Sequence, residues 1–275
     1  MDLNTITEIV RPGGRDDLPP WSAGDAWLAG GTWLFSEHQP NLRRLIDLAG
    51  VGWTPLEADA HGLRIGATCT LAQLAGAELA TAWSATPLFR QCCRALLGSF
   101  KIWNAATVGG NLCMALPAGP MAALTAALDG ICTIWTPNST ERYLPASEFV
   151  LGPQHNALQS GELLRAIVLP AAALRRRTAF RQISLTPLGR SAALLIGTRS
   201  PGGGSAMTVT AATRRPVRLD FEDVPTGAAL RDALDRAIPA PLYYDDAHGA
   251  PDWRHHMTLR FAEEIRQELL ETATA

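Results

Sequence analysis

Ala26-Trp27-Leu28-Ala29-Gly30-Gly31-Thr32 is a short apolar run that ends in two glycines and a threonine; Asn104-Ala105-Ala106-Thr107-Val108-Gly109-Gly110-Asn111 places a second glycine pair after a helical stretch. Paired glycines let the backbone reach conformations other residues avoid, so successive N–H groups can point into one concavity. Without a Cβ, such a turn can also lie close against a pyrophosphate, and the threonine hydroxyls add donors. Two nests of this kind, far apart in the chain, can close on one diphosphate from both sides. Each turn taken alone reads better as a tight structural turn. Neither matches G-x-G-x-x-G or the P-loop pattern, which argues against those two nucleotide-binding classes.

Working outward, 26–30 reads as a buried strand, with further strands at 45–48 and 63–67. Thr70 is placed to cap a helix whose Leu71, Leu74 and Ala75 share one face. Residues 85–97 read as a longer helix, with Pro87 near its start and Gly98 past its end. The glycines and prolines of 105–120 read as loop, and 121–128 as a short apolar helix. Strands follow at 131–136, 141–144 and 163–169. Arg175-Arg176-Arg177 marks the expected boundary between a first domain, 1–174, and a second, 175–275. In the second, strands at 178–184, 191–198 and 205–213 precede helices near 227–236 and 254–271, with Gly202-Gly203-Gly204 as a hairpin turn.

Composition narrows the classes. The chain has 275 residues, 47% of them hydrophobic and 18% charged, enough for a real core and against disorder. A formal net charge of -2 gives no broad pull towards nucleic acid. Lys101 is the only lysine, so the basic side chains are almost all arginine. No stretch has the ~20 apolar residues of a membrane helix, and Met1-Asp2-Leu3-Asn4 does not open a secretory leader, so the expected location is cytoplasmic. The five cysteines, Cys69, Cys92, Cys93, Cys113 and Cys132, are odd in number and show no C-x-x-C, which argues against a disulfide framework or a metal cluster on this chain. None of the six histidines has H-x-x-x-H spacing, and Tyr243-Tyr244-Asp245-Asp246 reads as a turn; no catalytic acid–base pair and no metal site are assigned.

The glycine turns do not stand alone. Leu28–Thr32, Ile65-Gly66-Ala67-Thr68-Cys69-Thr70-Leu71-Ala72-Gln73-Leu74, Asn104–Leu112 and Pro117-Ala118-Gly119 occur in that order. Gly161-Glu162-Leu163-Leu164, running to Leu169-Pro170, and Asp245–Gly249 with Trp253–Met257 follow. This ordered set resembles the FAD-binding (medium) subunit of the molybdenum hydroxylases, the xanthine dehydrogenase and carbon monoxide dehydrogenase family. It spans about 24–260 and is thinnest over 175–240.

The resemblance implies an α+β fold: a two-part FAD-binding domain of the vanillyl-alcohol-oxidase type, plus a C-terminal sheet-and-helix domain capping the flavin. It implies an oxidoreductase subunit that carries FAD, takes electrons from [2Fe–2S] clusters on an iron–sulfur subunit, and passes them to NAD, dioxygen or another acceptor. Those clusters would be reduced by a molybdopterin subunit that carries the substrate chemistry, in a heterotrimer or its dimer. Residue by residue, Ala29, Gly30, Gly31 and Thr32, extended by Trp33 and Leu34, would hold the diphosphate. Ala106, Thr107, Gly109, Gly110 and Asn111 would form the second cradle, and Leu163 and Leu164 would pack near flavin or adenine.

Five positions depart from the family's pattern: Trp33 replaces a common Asp, Trp103 a basic residue, Leu116 and Pro120 a Ser and an Asp, and Ser191-Ala192-Ala193 lacks an acidic residue. These changes keep the glycine backbone and remove polar side chains. They motivate two further readings: a cofactor-poor structural subunit of the same complex, or a stand-alone FAD oxidoreductase.

Overall fold

The computed structural model describes residues 3–271. The leader reading, which begins on Met1 and Asp2, lies partly outside the described residues. The chain opens with β1 (Glu8–Val10), β2 (Asp25–Leu28) and β3 (Arg44–Asp47), a parallel sheet of order β1-β3-β2. Leu45 and Ile46 of the central strand are buried. Arg44 donates to both carboxylate oxygens of Asp25, at 2.9 and 2.6 Å, and holds β3 against the start of β2. The strand read over 26–30 stops at Leu28, because the backbone leaves the sheet to build the glycine turn.

A 3-10 turn, Leu48–Val51, leads into a second layer. β4 (Leu56–Ala58) and β5 (Gly62–Gly66) form its first hairpin. Then come α1 (Leu71–Ala75), α2 (Thr86–Ala95), α3 (Phe100–Ala105), α4 (Val108–Cys113) and α5 (Pro120–Ala127). Thr70 and Gln73 form the reciprocal cap at the head of α1. β6 (Ile131–Trp135), β7 (Glu141–Pro145), the short α6 (Ala146–Phe149) and the β8 (Val150–Gly152) and β9 (His155–Asn156) ribbon precede β10 (Leu163–Pro170). The sheet runs β4-β5-β10-β6-β7, antiparallel throughout.

After α7 (Ala171–Leu174) the chain makes an antiparallel meander: β11 (Arg177–Ile183), β12 (Ala193–Arg199), β13 (Ser205–Thr210) and β14 (Val217–Phe221). α8 (Gly227–Ala237) and α9 (Pro251–Leu270) close the chain. Met257, Phe261, Ile265 and Leu269 of α9 are buried against this sheet, the row expected from their i, i+4 spacing. At Gly197 a Cβ would stand 2.2 Å from Ile265 Cγ2, so helix and sheet meet there at glycine distance.

The class is α+β, as the resemblance implied. Part of 105–120 differs from the loop expected there: residues 108–113 are helical, and 100–105, to which no element was assigned, form a helix ahead of them. A glycine pair costs a helix about 1 kcal/mol per residue relative to alanine. Here Thr107 caps the turn and two amides are bound by a neighbouring segment, so tertiary contacts override propensity. β1, three residues long, is too short to stand out in sequence; β14, whose Val217, Leu219 and Phe221 alternate with Arg218 and Asp220, is a strand the expectation omitted, and the strand expected over 205–213 ends at Thr210.

α5 ties the layers together. Every residue from Pro120 to Ala127 is buried. A helix apolar on all sides must be enclosed, and α5 packs against α2 and α4 on one side and β12 and β13 on the other. Arg218 of β14 donates to the carbonyls of Ala126 and Ala127, both at 2.9 Å, and pairs with Asp129 at 2.7 Å. That guanidinium supplies the last turn of α5 with the donors its carbonyls lack.

Candidate functional site

The glycine turn after β2 forms because the chain must pass close to α3. A Cβ on Gly30 would stand 1.8 Å from the carbonyl oxygen of Ala105, which no side chain survives. Gly31 has φ +67°, a left-handed conformation, and a Cβ there would strike the Phe35 ring at 2.4 Å. Beyond it the backbone makes one helical turn: Phe35 N donates to Gly31 O at 2.9 Å and Ser36 N to Trp33 O at 2.9 Å. The first amides of such a turn have no partner within it. Those of Thr32, Trp33 and Leu34 meet no acceptor among the described residues.

These residues line a groove of about 440 Å³, within the 300–1,000 Å³ range usual for a small-molecule site. Ala29 to Leu34, Ala106, Thr107, Gly110 and Asn111 all lie on its wall, so the structure brings the two glycine turns together. Sequence reasoning missed other parts of the wall. Trp27, Leu97, Ile102, Met114 and Leu116 make it largely apolar, and Arg190, on the 184–192 loop between β11 and β12, is its one charged side chain. Leu97 lines it with φ +54°, a strained conformation no residue-type signal announces.

The second turn differs from the nest expected of it. Thr107 Oγ1 accepts from Gly110 N at 3.0 Å. Val108 N donates to Cys69 O at 2.8 Å and Gly109 N to Ala67 O at 2.9 Å. The amides at the head of α4 are therefore spent within the chain, and this side offers close approach rather than a donor array. Gly109 is buried off the groove, where a Cβ would stand 2.5 Å from Ala67 Cβ. Asn111 Oδ1 accepts from Met121 N at 3.1 Å, and no described residue accepts from its Nδ2.

Leu163 and Leu164 are not on the groove wall. β10 is the central strand of its sheet, and both leucines are buried. Leu164 belongs to the main core, and Leu163 lines a separate cleft beyond Trp27, walled also by Trp21, Trp135 and Pro137. Of the departures, Trp33 and Leu116 line the groove, while Pro120 heads α5 in the core. Trp103 lies outside the wall, its indole N–H buried without an acceptor among the described residues.

The cysteine thiols are held in their protonated form by burial. Burial pushes the thiols of Cys69, Cys93 and Cys113 up to about 12, and that of Cys92 well above its ordinary value. Among the described residues no group of His, Cys, Asp or Glu could hold a metal ion. None of the helices among them is long and apolar enough to cross a membrane.

The groove fits a dinucleotide such as FAD. Its free amides and the Thr32 hydroxyl suit a diphosphate, Gly110 leaves room where a Cβ would project, and the apolar walls suit ring systems.

Comparison with known proteins agrees. Residues 22–172 match the family described as the FAD binding domain in molybdopterin dehydrogenase. The carbon monoxide dehydrogenase medium chain of Afipia carboxidovorans is 27% identical over 235 residues, 80% of this chain and 77% of that one. Xanthine dehydrogenase of Oryza sativa subsp. japonica is 31% identical over 121 residues, which span 42% of this chain and only 9% of that protein. A chain of carbon monoxide dehydrogenase from Hydrogenophaga pseudoflava superposes with a TM-score of 0.80 at 20% identity, covering 96% of this chain and 97% of that one, a likeness of fold. With the match running from before β2 to the start of α7, this chain belongs to the family of FAD-binding domains of molybdopterin dehydrogenases.

Proposed function

We propose that this chain is the FAD-carrying electron-transfer subunit of a molybdopterin-dependent hydroxylase or dehydrogenase. The observation that carries the reading is the set of unpaired amides of Thr32, Trp33 and Leu34, opening on the groove that Gly110 also lines. Bound there, FAD would supply the electron relay, between [2Fe–2S] clusters on an iron–sulfur subunit and an acceptor such as NAD or dioxygen. The substrate would be oxidised on a molybdopterin subunit, the three chains forming a heterotrimer or its dimer.

The chain's own part is binding and orientation. Gly30 and Gly31 let the turn come down against Ala105 and Ala106. The amides that follow hold the diphosphate, with Thr32 Oγ1 as a further donor. Leu28, Leu97, Ile102, Met114 and Leu116 exclude water from the rings. No side chain of the groove is positioned as a general acid or base for a substrate of its own, which favours a relay over a stand-alone oxidoreductase. Within the same proposal, residues 1–174 hold the cofactor and 175–275 cap it.

A second reading has a specific observation behind it. The spent amides of α4 and the apolar Trp33 and Leu116 leave fewer polar contacts than the resemblance implies, as in a structural subunit without cofactor. The visible absorption spectrum decides, taken on the purified chain and again after adding FAD and desalting. Retained flavin bands are expected. A colourless protein, both alone and in its co-expressed complex, would leave the structural reading standing.

A further inference from the structure

The five-stranded sheet has a second face. Leu63 and Ile65 of β5, Cys132 and Ile134 of β6, and Leu164 and Ile167 of β10 belong to the main core. Side chains alternate along a strand, so the residues between them stand on the opposite side. There Glu57 faces Arg64 across β4 and β5, and Thr133 faces Tyr143 across β6 and β7. Tyr143 is 63% exposed.

Arg165 joins this face through a bulge. β10 shifts its register on β6 between Leu164 and Ala166, which leaves Arg165 as the extra residue. A bulge re-aims the side chain it carries. The guanidinium lies 4.6 Å from the centre of the Trp53 ring and 5.8 Å from that of Trp135. The two indoles meet edge to face at 5.3 Å.

This cation has no partner for its charge. Among the described residues it makes no hydrogen bond and no ion pair, and its Nη1 is buried without an acceptor, as is Trp53 Nε1. Burial pulls its pKa below the ordinary guanidinium value, and Glu57 opposes that pull from a distance. The nearby acids are engaged elsewhere. Glu141 accepts from Trp135 Nε1 at 3.0 Å and from Tyr143 OH at 2.6 Å, and Glu57 pairs with Arg64 at 3.6 Å. A desolvated charge left unpaired is costly, so complementarity calls for a carboxylate from outside the chain.

We infer that this face is a docking surface for a partner protein chain, which presents an aspartate or glutamate to Arg165 and apolar side chains to Trp53 and Tyr143. A protein fits better than a free anion because an open sheet face gathers tryptophan, tyrosine and arginine, the residue types that dominate interface centres. The inference rests on the proposal that this chain is a subunit, and not on its holding flavin.

The test uses the complex purified after co-expression with its iron–sulfur and molybdopterin subunits, with this chain as wild type, R165M and R165K. R165M keeps an apolar stem against the indoles and removes the charge. It should weaken the complex by about tenfold without lowering the thermal midpoint of the isolated chain. R165K should recover part of the loss. Because Lys101 is the only lysine of the wild type, R165K adds one side-chain amine at a known place. Carbodiimide should then link position 165 to an Asp or Glu of another chain, as read by mass spectrometry. A complex unchanged in R165M, a loss matched by a lowered midpoint of the isolated chain, or no link from position 165 beyond Glu57 and Glu141 would each overturn the inference. A wild type that forms no complex with those subunits is a separate outcome, which removes the subunit reading and this inference with it.

Discussion

A Cβ on Gly30 would stand 1.8 Å from the backbone oxygen of Ala105, so the turn after β2 and the last residue of α3 are in backbone contact. The opposing atom is main chain and cannot rotate away. In G30A the turn must lift off α3, at a cost of about 1–3 kcal/mol, and the amides of Thr32 to Leu34 shift with it. Urea unfolding should show a lower midpoint, and the flavin-to-protein absorbance ratio should fall. Gly14, where a Cβ would meet nothing within 4 Å, serves as the control. G14A should leave both readings unchanged, and an unaffected G30A would refute the close-contact argument.

Thr107 carries the cap of α4. Removing its hydroxyl in T107A should cost about 1 kcal/mol and free the Gly110 amide at the groove wall. T107S keeps the oxygen and should restore the thermal midpoint. If serine does no better than alanine, the hydroxyl is not what holds the turn.

The Arg142–Glu162 pair predicts an acid limb of stability. Arg142 donates to Glu162 at 3.0 and 2.6 Å, and this bond holds the carboxyl below its ordinary value. A depressed carboxyl contributes stability that is present above its unfolded value, about 4.3, and is lost as pH falls through the folded one. Below about pH 4, wild type should therefore lose stability faster than E162Q. At pH 7 E162Q should be less stable by about 1–3 kcal/mol. Parallel pH profiles for the two proteins would count against the pair.

Thiol accessibility tests the burial of the cysteines. All five are free, and four are buried. A disulfide reagent at pH 8 should label the native chain slowly and all five sites promptly in denaturant. Burst labelling of the native chain at Cys69, Cys92 or Cys93 would contradict the packing of α1 against α2.

Much of this was legible because local chemistry and tertiary demand agree. Thr70 with Gln73, the i, i+4 row of α9 and the apolar run of α5 each announce an element that the fold uses as written. The second glycine pair was legible as a special backbone and not as a helix. Its helicity depends on Ala67 and Cys69, which accept from its amides across the fold. Leu163 and Leu164 read alike in sequence, but nothing local says that β10 turns them away from the groove wall. Arg190 was hidden for the converse reason. It is one arginine in an arginine-rich chain, and its loop is brought to the groove by Arg254 and Ala211, remote in sequence.

The enclosure of α5 makes the two halves of the chain thermodynamically inseparable. Cut after Leu174, the chain would leave the β12- and β13-facing side of α5 in water and strip Arg218 from its terminal carbonyls. Neither fragment should melt as a sharp transition when expressed by itself. The intact chain should lose its sheets together, in one cooperative step.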